Sequence, residues 1–330
     1  MYDTINLYMA QAEEEGTDFI SEIPCFLPPD SCAEGAFTDG VRYVSGRVGN
    51  MFVKASEKGL YIGGSLCKYQ LGNNFDTLKL QDAREAIERI SDALHYDVNR
   101  MPVTRLDVAT NIITEHPLSA YTRHFARLKG AKRFLMERNV LYKAGNKSFD
   151  FEIYDKNKEH REKEPNVPVP KEYQGVNVAR LEYRCRNRKY IANRFAKDNI
   201  CASDICTIDI YNKSVELWGQ MYDSIEKVER KVIVNGYSIT NNDIITMKVK
   251  DITKVALMYL VNEKFGGVNE FCEATKTATK AGLISSVNAS RLREAVKGAE
   301  RLDLQTLVEN KELAEFDTKV KDVINRLVPF

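Results

Sequence analysis

Residues 139–156 read NVLYKAGNKSFDFEIYDK. Two runs rich in β-formers, Asn139 to Lys143 and Phe149 to Asp155, flank AGNKS, a turn-rich connection of hairpin length. The spacing predicts an antiparallel hairpin. Successive side chains of a strand alternate between faces, so Phe149, Phe151 and Ile153 point one way and Asp150, Glu152, Tyr154 and Lys156 the other.

Working outward, PVTRLDVATNII (102–113) and VARLEYRCR (178–186) are β-rich without a helical period. In the first, Arg105, Asp107 and Ala109 share one face and Leu106 and Val108 the other. In the second, Val178, Arg180, Glu182, Arg184 and Arg186 alternate with Ala179, Leu181, Tyr183 and Cys185. Each of the three strands therefore offers a polar face bearing a carboxylate. If the strands are neighbours with those faces aligned, Asp107, Glu152 and Glu182 converge beside Tyr154, Lys156 and several arginines. Two or three carboxylates suit a hard cation such as Mg²⁺ or Mn²⁺, a Lewis acid for a phosphoryl oxygen. Ionising a phenol at pH 7 costs about 4 kcal/mol, at roughly 1.36 kcal/mol per pH unit. An adjacent metal and cation offset that cost and make a phenolate nucleophile. The competing reading leaves Tyr154 a strand aromatic and pairs the carboxylates with the arginines on a solvated sheet face.

Elsewhere, residues 2–9, 51–55, 59–67 and 176–186 read as strands, and 24–50, rich in Gly, Pro, Ser and Asp, as a loop or ragged hairpin. Ala83, Ile87, Ile90 and Leu94 mark one face of an amphipathic helix over 82–94; Leu118, Tyr121, Phe125 and Leu128 predict another over 118–129. Residues 160–175, with three prolines and many charges, read as an exposed loop. From about 205 onward helical patterns dominate, the last ending near Leu327. The expectation is an α+β fold, an antiparallel sheet with packed helices over 1–204, followed by an α-helical region over 205–330.

The chain has 330 residues, 43% of them apolar, and no run approaches the roughly 18–20 apolar residues that a spanning helix needs. A membrane protein is excluded on that pattern. The first residues, MYDTINLYMAQAEEEG, have no basic flank followed by an apolar core, so a cytoplasmic location is expected. Seven cysteines without CxxC pairs read as free thiols, with no zinc site. Net charge is +1, yet residues 121–200 hold 20 Lys and Arg against 10 Asp and Glu, an excess of ten. The densest part, RLEYRCRNRKYIANRFAK (180–197), interleaves Tyr183, Tyr190 and Phe195 with Arg184, Arg186, Arg188 and other cations. Basic groups among aromatic ones suit a phosphate backbone with bases stacked between them; a solvated helix face is the alternative.

TRLDVATN, LYKAGNKSFDFEIYDKNKE and VNVARLEYRCRNR, in this order, resemble the rolling-circle replication initiators of the filamentous-phage gene II type and related plasmid initiators. The shared pattern is Arg-x-Asp, then Tyr-x-Lys with a Glu three residues on, then Arg-x-Glu-x-Arg. SLCKYQLGNNFDTLKLQDAREAIERI resembles the stretch ahead of the first motif, and the likeness spans roughly residues 50–195. It implies that Tyr154 attacks one phosphodiester of the origin, leaving a 5′-phosphotyrosyl link and a free 3′-OH. It further implies that Lys156 stabilises developing charge or helps the phenol ionise, and that Asp107 and Glu182, with Glu159 a weaker candidate, hold Mg²⁺ or Mn²⁺. Arg105, Arg180, Arg184, Arg186 and Arg188 are the expected DNA contacts. The partners implied are origin DNA and host helicase and polymerase, in a bacterial cytoplasm, with DNA binding or homo-oligomerisation as roles for 205–330.

The chain lacks the His-hydrophobic-His pair of the larger class of tyrosine nickases; His95, His116, His124 and His160 stand alone. His160 is close enough to the Tyr-x-Lys strand to be a ligand, although a lone loop histidine is more often solvated. Tyr142, Tyr173 and Tyr183 are available as second nucleophiles, and nothing in the sequence ranks them. A relaxase of conjugal mobilisation would share the chemistry, and a non-enzymatic origin-binding initiator would use the basic strand without needing Tyr154.

Overall fold

The computed structural model describes residues 1–136, 139–227, 230–234, 237–238, 249–299, 304–309 and 311–328. It divides into two compact units, Met1–Lys227 with Ala314–Phe330, and Val228–Leu313.

The first unit is built on a ten-stranded antiparallel sheet. Its strands are β1 (Tyr2–Ala10), β2 (Ala33–Ala36), β3 (Arg42–Val48), β4 (Met51–Ser56), β5 (Gly59–Ser65), β6 (Val103–Thr114), β8 (Ala131–Met136), β9 (Asn139–Ala144), β10 (Phe149–Asp155) and β11 (Asn177–Cys185), with β7 (Phe125–Leu128) outside it. The order across the sheet is β2-β3-β4-β5-β1-β6-β11-β10-β9-β8. The expected β9–β10 hairpin forms, with Phe151 opposite Tyr142. The three motif strands are neighbours, β6 pairing with β11 and β11 with β10.

The helices of this unit are α1 (Phe19–Glu22), α2 (Leu66–Leu71), α3 (Leu80–Leu94), α4 (Ser119–Thr122), α5 (Lys156–Lys163), α6 (Arg188–Phe195), α7 (Ala202–Ile205) and α8 (Ile208–Asp223). Alternation sends Ile5, Leu7, Val53, Ile62, Leu106, Val108, Phe151, Ile153, Leu181 and Tyr183 into the core. Burial of each such side chain is worth about 1.5–3 kcal/mol. Helix α8 lies on this face: the buried Trp218 indole donates to the Leu181 carbonyl at 3.2 Å, and Tyr2 and Tyr211 meet edge to face at 5.7 Å. The end of the chain returns to the same unit, where Phe316 of the helix Lys311–Leu327 packs on Tyr121, Phe125 and Tyr222.

Several local expectations change. The helix expected over 118–129 is only Ser119–Thr122, because Phe125–Leu128 pairs as a strand with Ile225–Lys227. Its apolar residues Leu118, Tyr121, Phe125 and Leu128 are nevertheless all buried, so the pattern reported burial rather than helix. The stretch 24–50 is the ragged hairpin that its composition allowed: short 3₁₀ turns lead into β2, which pairs antiparallel with β3. Strand β10 stops at Asp155, whose side chain accepts from the Lys158 amide at 2.9 Å and caps α5. Lys156 is thus the first residue of a helix, not a strand residue, and the expected loop at 160–175 begins inside that helix.

The second unit holds the helices Val249–Phe265, Val268–Lys280 and Ser286–Ala299 around Met258, Val261, Phe271, Val296 and Ala299. A small sheet joins Arg230–Val234 to Tyr237–Ser238 and to Leu304–Glu309. Among the described residues no helix is long and apolar enough to cross a membrane.

Candidate active site

Register places the polar side chains of three strands in rows on the face opposite the Trp218 core. Asp107, Arg184 and Asp150 form one row; Ala109, Glu182 and Glu152 the next; Asn111, Arg180 and Tyr154 the third. The predicted convergence of Asp107, Glu152, Glu182 and Tyr154 is therefore present.

The Tyr154 hydroxyl donates to Glu182 Oε2 at 3.0 Å, and Glu182 Oε1 takes Arg184 Nε at 2.7 Å. Arg184 bridges to Glu152 Oε2, also at 2.7 Å, and Glu152 accepts from Asn139. Burial would raise the Glu182 carboxyl, but Arg184 and Arg180 and the bonds from Arg184 and Tyr154 outweigh it and hold the group well below the usual carboxylate range. Burial, followed by the Glu182 charge, pushes the Tyr154 phenol upward, with Arg180 pulling the other way. At rest the site therefore holds a neutral phenol against an ionised carboxylate. Tyr154 borders a cleft of about 400 Å³ whose wall includes Met136, Asn139, Glu152, Glu159, Lys163 and Arg184.

Lys156 is buried, its ammonium bonded to Glu159 at 2.7 Å and 5.3 Å from the centre of the Phe75 ring. Burial and Arg180 lower its pKa, against the pull of Glu159. Glu159 also binds Lys163 at 2.8 Å. Asp107, fully buried, takes Arg105 with both oxygens. Burial and the Glu182 charge push its carboxyl upward against the pull of Arg105.

The expected DNA-contacting arginines separate. Arg184 and Arg105 stand on the polar face with partial exposure, and Arg186 pairs there with Asp150. Arg180 is buried, bonded to Asp3 at 2.9 Å and to the Asn74 carbonyl at 2.8 Å with its Nε 3.7 Å from Glu182, so in this arrangement it braces the site rather than facing solvent. Arg188 opens α6 and bonds Asn199. The aromatic residues among these cations are not free for bases: Tyr183 and Phe195 are buried, and the Tyr190 hydroxyl meets that of Tyr183 at 2.7 Å. Tyr142 and Tyr183 are buried with their side chains off the Tyr154 face, while Tyr173 is half-buried against Phe75. His160 is buried, with Nε2 2.8 Å from the Val167 carbonyl and Nδ1 3.2 Å from Glu164, not solvated in a loop.

Among the described residues no group of three or more His, Cys, Asp and Glu side chains is placed to hold a metal ion. The oxygens of Asp107, Glu182 and Glu159 are engaged by Arg105, Arg184, Tyr154, Lys156 and Lys163. A divalent cation at Asp107 and Glu182 would have to displace guanidinium groups and then sit against them. The donor set in this arrangement does not fit the metal that the family pattern implies. All seven cysteines are free thiols.

Sequence reasoning missed Asp3, which anchors Arg180 and accepts from Ser65 at 2.7 Å, and Asn74 and Asn111, which close the network above Arg180. No motif marks them. The one available signal was that β1 is a strand, and only its pairing with β6 brings Asp3 to the site.

No curated protein matches the chain. A family profile described as the N-terminal part of a phage replication-associated protein, the gene II product, matches residues 42–232, more than half of the chain and every motif strand of the site. The chain belongs to this family of phage replication-associated proteins, the rolling-circle initiators of the filamentous-phage gene II type.

Proposed function

We propose that the protein starts rolling-circle replication by nicking one strand of origin DNA with Tyr154 as nucleophile. The observation that carries this reading is the bond from the Tyr154 hydroxyl to Glu182 beside Arg184, at a cleft open to a substrate. The Tyr154 oxygen forms a bond to phosphorus while the P–O3′ bond breaks, giving a 5′-phosphotyrosyl link and a free 3′-hydroxyl. The phenol proton passes to Glu182, and water supplies the proton taken up by the 3′-oxygen. The reverse reaction joins the strand, so the bond energy is conserved and no nucleotide is hydrolysed; the sequence holds no GxxxxGK[ST] loop.

Arg184 links binding to chemistry. It is shared between Glu152 and Glu182, and an incoming phosphate competes for it. Losing part of that cation raises the proton affinity of Glu182 at the moment a base is needed. Lys156, next along the chain from the capping Asp155, is buried off the cleft wall and supports the site through Glu159, which lines the cleft. The free 3′-hydroxyl suits extension by a host polymerase with a helicase opening the duplex, and the unit Val228–Leu313 is available for origin binding or self-association.

Mixing the purified protein with Mg²⁺ or Mn²⁺ and a supercoiled plasmid carrying the candidate origin should give nicked circles with protein covalently attached. Omitting the metal reports whether an ion joins the site once DNA is bound. Tyr154→Phe should give no adduct. If wild type forms none, or Tyr154→Phe nicks equally well, the nucleophile assignment is lost and a non-enzymatic origin binder remains. A relaxase shares the reaction, and the genes beside this one separate the two.

A further inference from the structure

The polar face does not end at Arg105. Cross-strand register carries it on through Asn6, Gly63 and Phe52 to Arg47, with Tyr8, Tyr61, Lys54 and Ser45 forming the neighbouring row. Alternation along β4 buries Met51, Val53 and Ala55 and leaves Phe52 and Lys54 half-exposed; Tyr61 and Asn6 are half-exposed and Tyr8 and Arg47 exposed. The segment that precedes β2 packs on the opposite side, with Leu27 against Gly46, whose strand partner is the buried Val53.

Three features make this face a platform. Phe52 and Tyr61 lie with ring centres 6.2 Å apart, inclined at 57°. The outer end of Tyr61 lies over the backbone of Gly63: a Cβ there would run into the Tyr61 hydroxyl and sit 2.8 Å from Asn6 Oδ1. Lys54 holds its ammonium 4.2 Å from the centre of the Tyr43 ring, and the two rows contain Arg47, Lys54 and Arg105 but no carboxylate.

We propose that this face binds single-stranded DNA, as a second subsite on the strand that Tyr154 cleaves. Half-exposed rings offer stacking to unpaired bases, which a duplex cannot supply, and the cations beside them match the phosphates. Five interstrand steps separate β4 from β10 in the sheet order, a distance of about 24 Å at roughly 4.8 Å per step. The assignment rests on the proposed reading of Tyr154 only for which strand occupies the face; the binding itself does not require cleavage.

The test is fluorescence anisotropy with the full chain and a labelled thymidine oligomer of about 20 nucleotides, against a blunt duplex of the same length. Phe52→Leu with Tyr61→Leu keeps apolar bulk and removes the rings; Gly63→Ala displaces Tyr61 by the added methyl. Both should weaken single-strand binding, the double variant by at least about tenfold, and leave duplex binding at the wild-type level. Arg47→Gln with Lys54→Gln should flatten the dependence of log affinity on log salt by roughly 1.4. Wild-type single-strand affinity in folded Phe52→Leu/Tyr61→Leu and Gly63→Ala proteins, judged by melting, overturns the proposal, as does an equal loss for duplex. If no covalent adduct forms on any DNA and single-strand affinity still falls in these variants, the nucleophile reading fails and the platform stands.

Discussion

The hydroxyl of Tyr154 donates to Glu182 Oε2 across the β10–β11 pair at 3.0 Å, while Arg180, the register partner of Tyr154, binds Asp3 at 2.9 Å and holds its Nε 3.7 Å from the same Glu182 oxygen. The phenol is thus oriented by a carboxylate that is itself held ionised by Arg184 and Arg180.

Glu182→Gln keeps the shape but removes the base and leaves Arg180 and Arg184 each with one fewer partner. Single-turnover adduct formation should fall about 10²–10⁴-fold, and stability by about 3–5 kcal/mol. Chemical denaturation separates the two effects, because a purely structural role would lower activity only in proportion to the unfolded fraction.

Arg180→Met leaves Asp3 buried without its cation and should cost about 3–5 kcal/mol. Adding Asp3→Asn should restore part of the loss. Equilibrium unfolding of the single and double variants measures the coupling, and strict additivity would show that the pair contributes nothing.

Asp107 is a buried carboxyl whose pKa is raised on folding. The folded state then binds the proton more tightly than the unfolded chain, so its contribution is most favourable at low pH. It is lost as pH rises above about 4, the ordinary carboxylate value. In Asp107→Asn that slope disappears, so the melting temperature of the variant should gain on wild type as pH increases from about 4 towards neutrality. A constant difference across that range would place the carboxyl outside the titration.

With the acidic oxygens engaged by arginine and lysine, the DNA-free protein should bind Mn²⁺ more weakly than roughly 1 mM. Titration calorimetry checks this directly. Tighter binding would mean that the metal displaces Arg105 or Arg184.

Gly59 sits at φ +152°, and a Cβ there would collide with the Met9 carbonyl oxygen of the neighbouring strand. Gly59→Ala should destabilise the β1–β5 pairing by more than about 1 kcal/mol, read as a lower denaturation midpoint.

Much of the site was legible one strand at a time. Period-two alternation in residues 102–113, 148–156 and 178–186 placed Asp107, Glu152, Tyr154 and Glu182 on the correct faces, because side-chain direction in a strand follows from backbone geometry alone. The AGNKS turn gave the β9–β10 hairpin for the same local reason. Where two local signals competed, the reading failed: Asp155 as a helix cap ended the strand before Lys156, and Phe125–Leu128 became a strand through a partner a hundred residues away.

By itself the sequence determined the strands, their polar faces and the family motifs, all properties of near neighbours in the chain. Only the tertiary structure decided what those faces meet. The order β3-β4-β5-β1-β6-β11-β10 brings Asp3 to Arg180 and makes one continuous surface from Arg47 to Tyr154. It also fixes that the carboxylates find arginine partners. Burial decides the charge state of each group, and burial depends on packing between residues that the sequence keeps far apart.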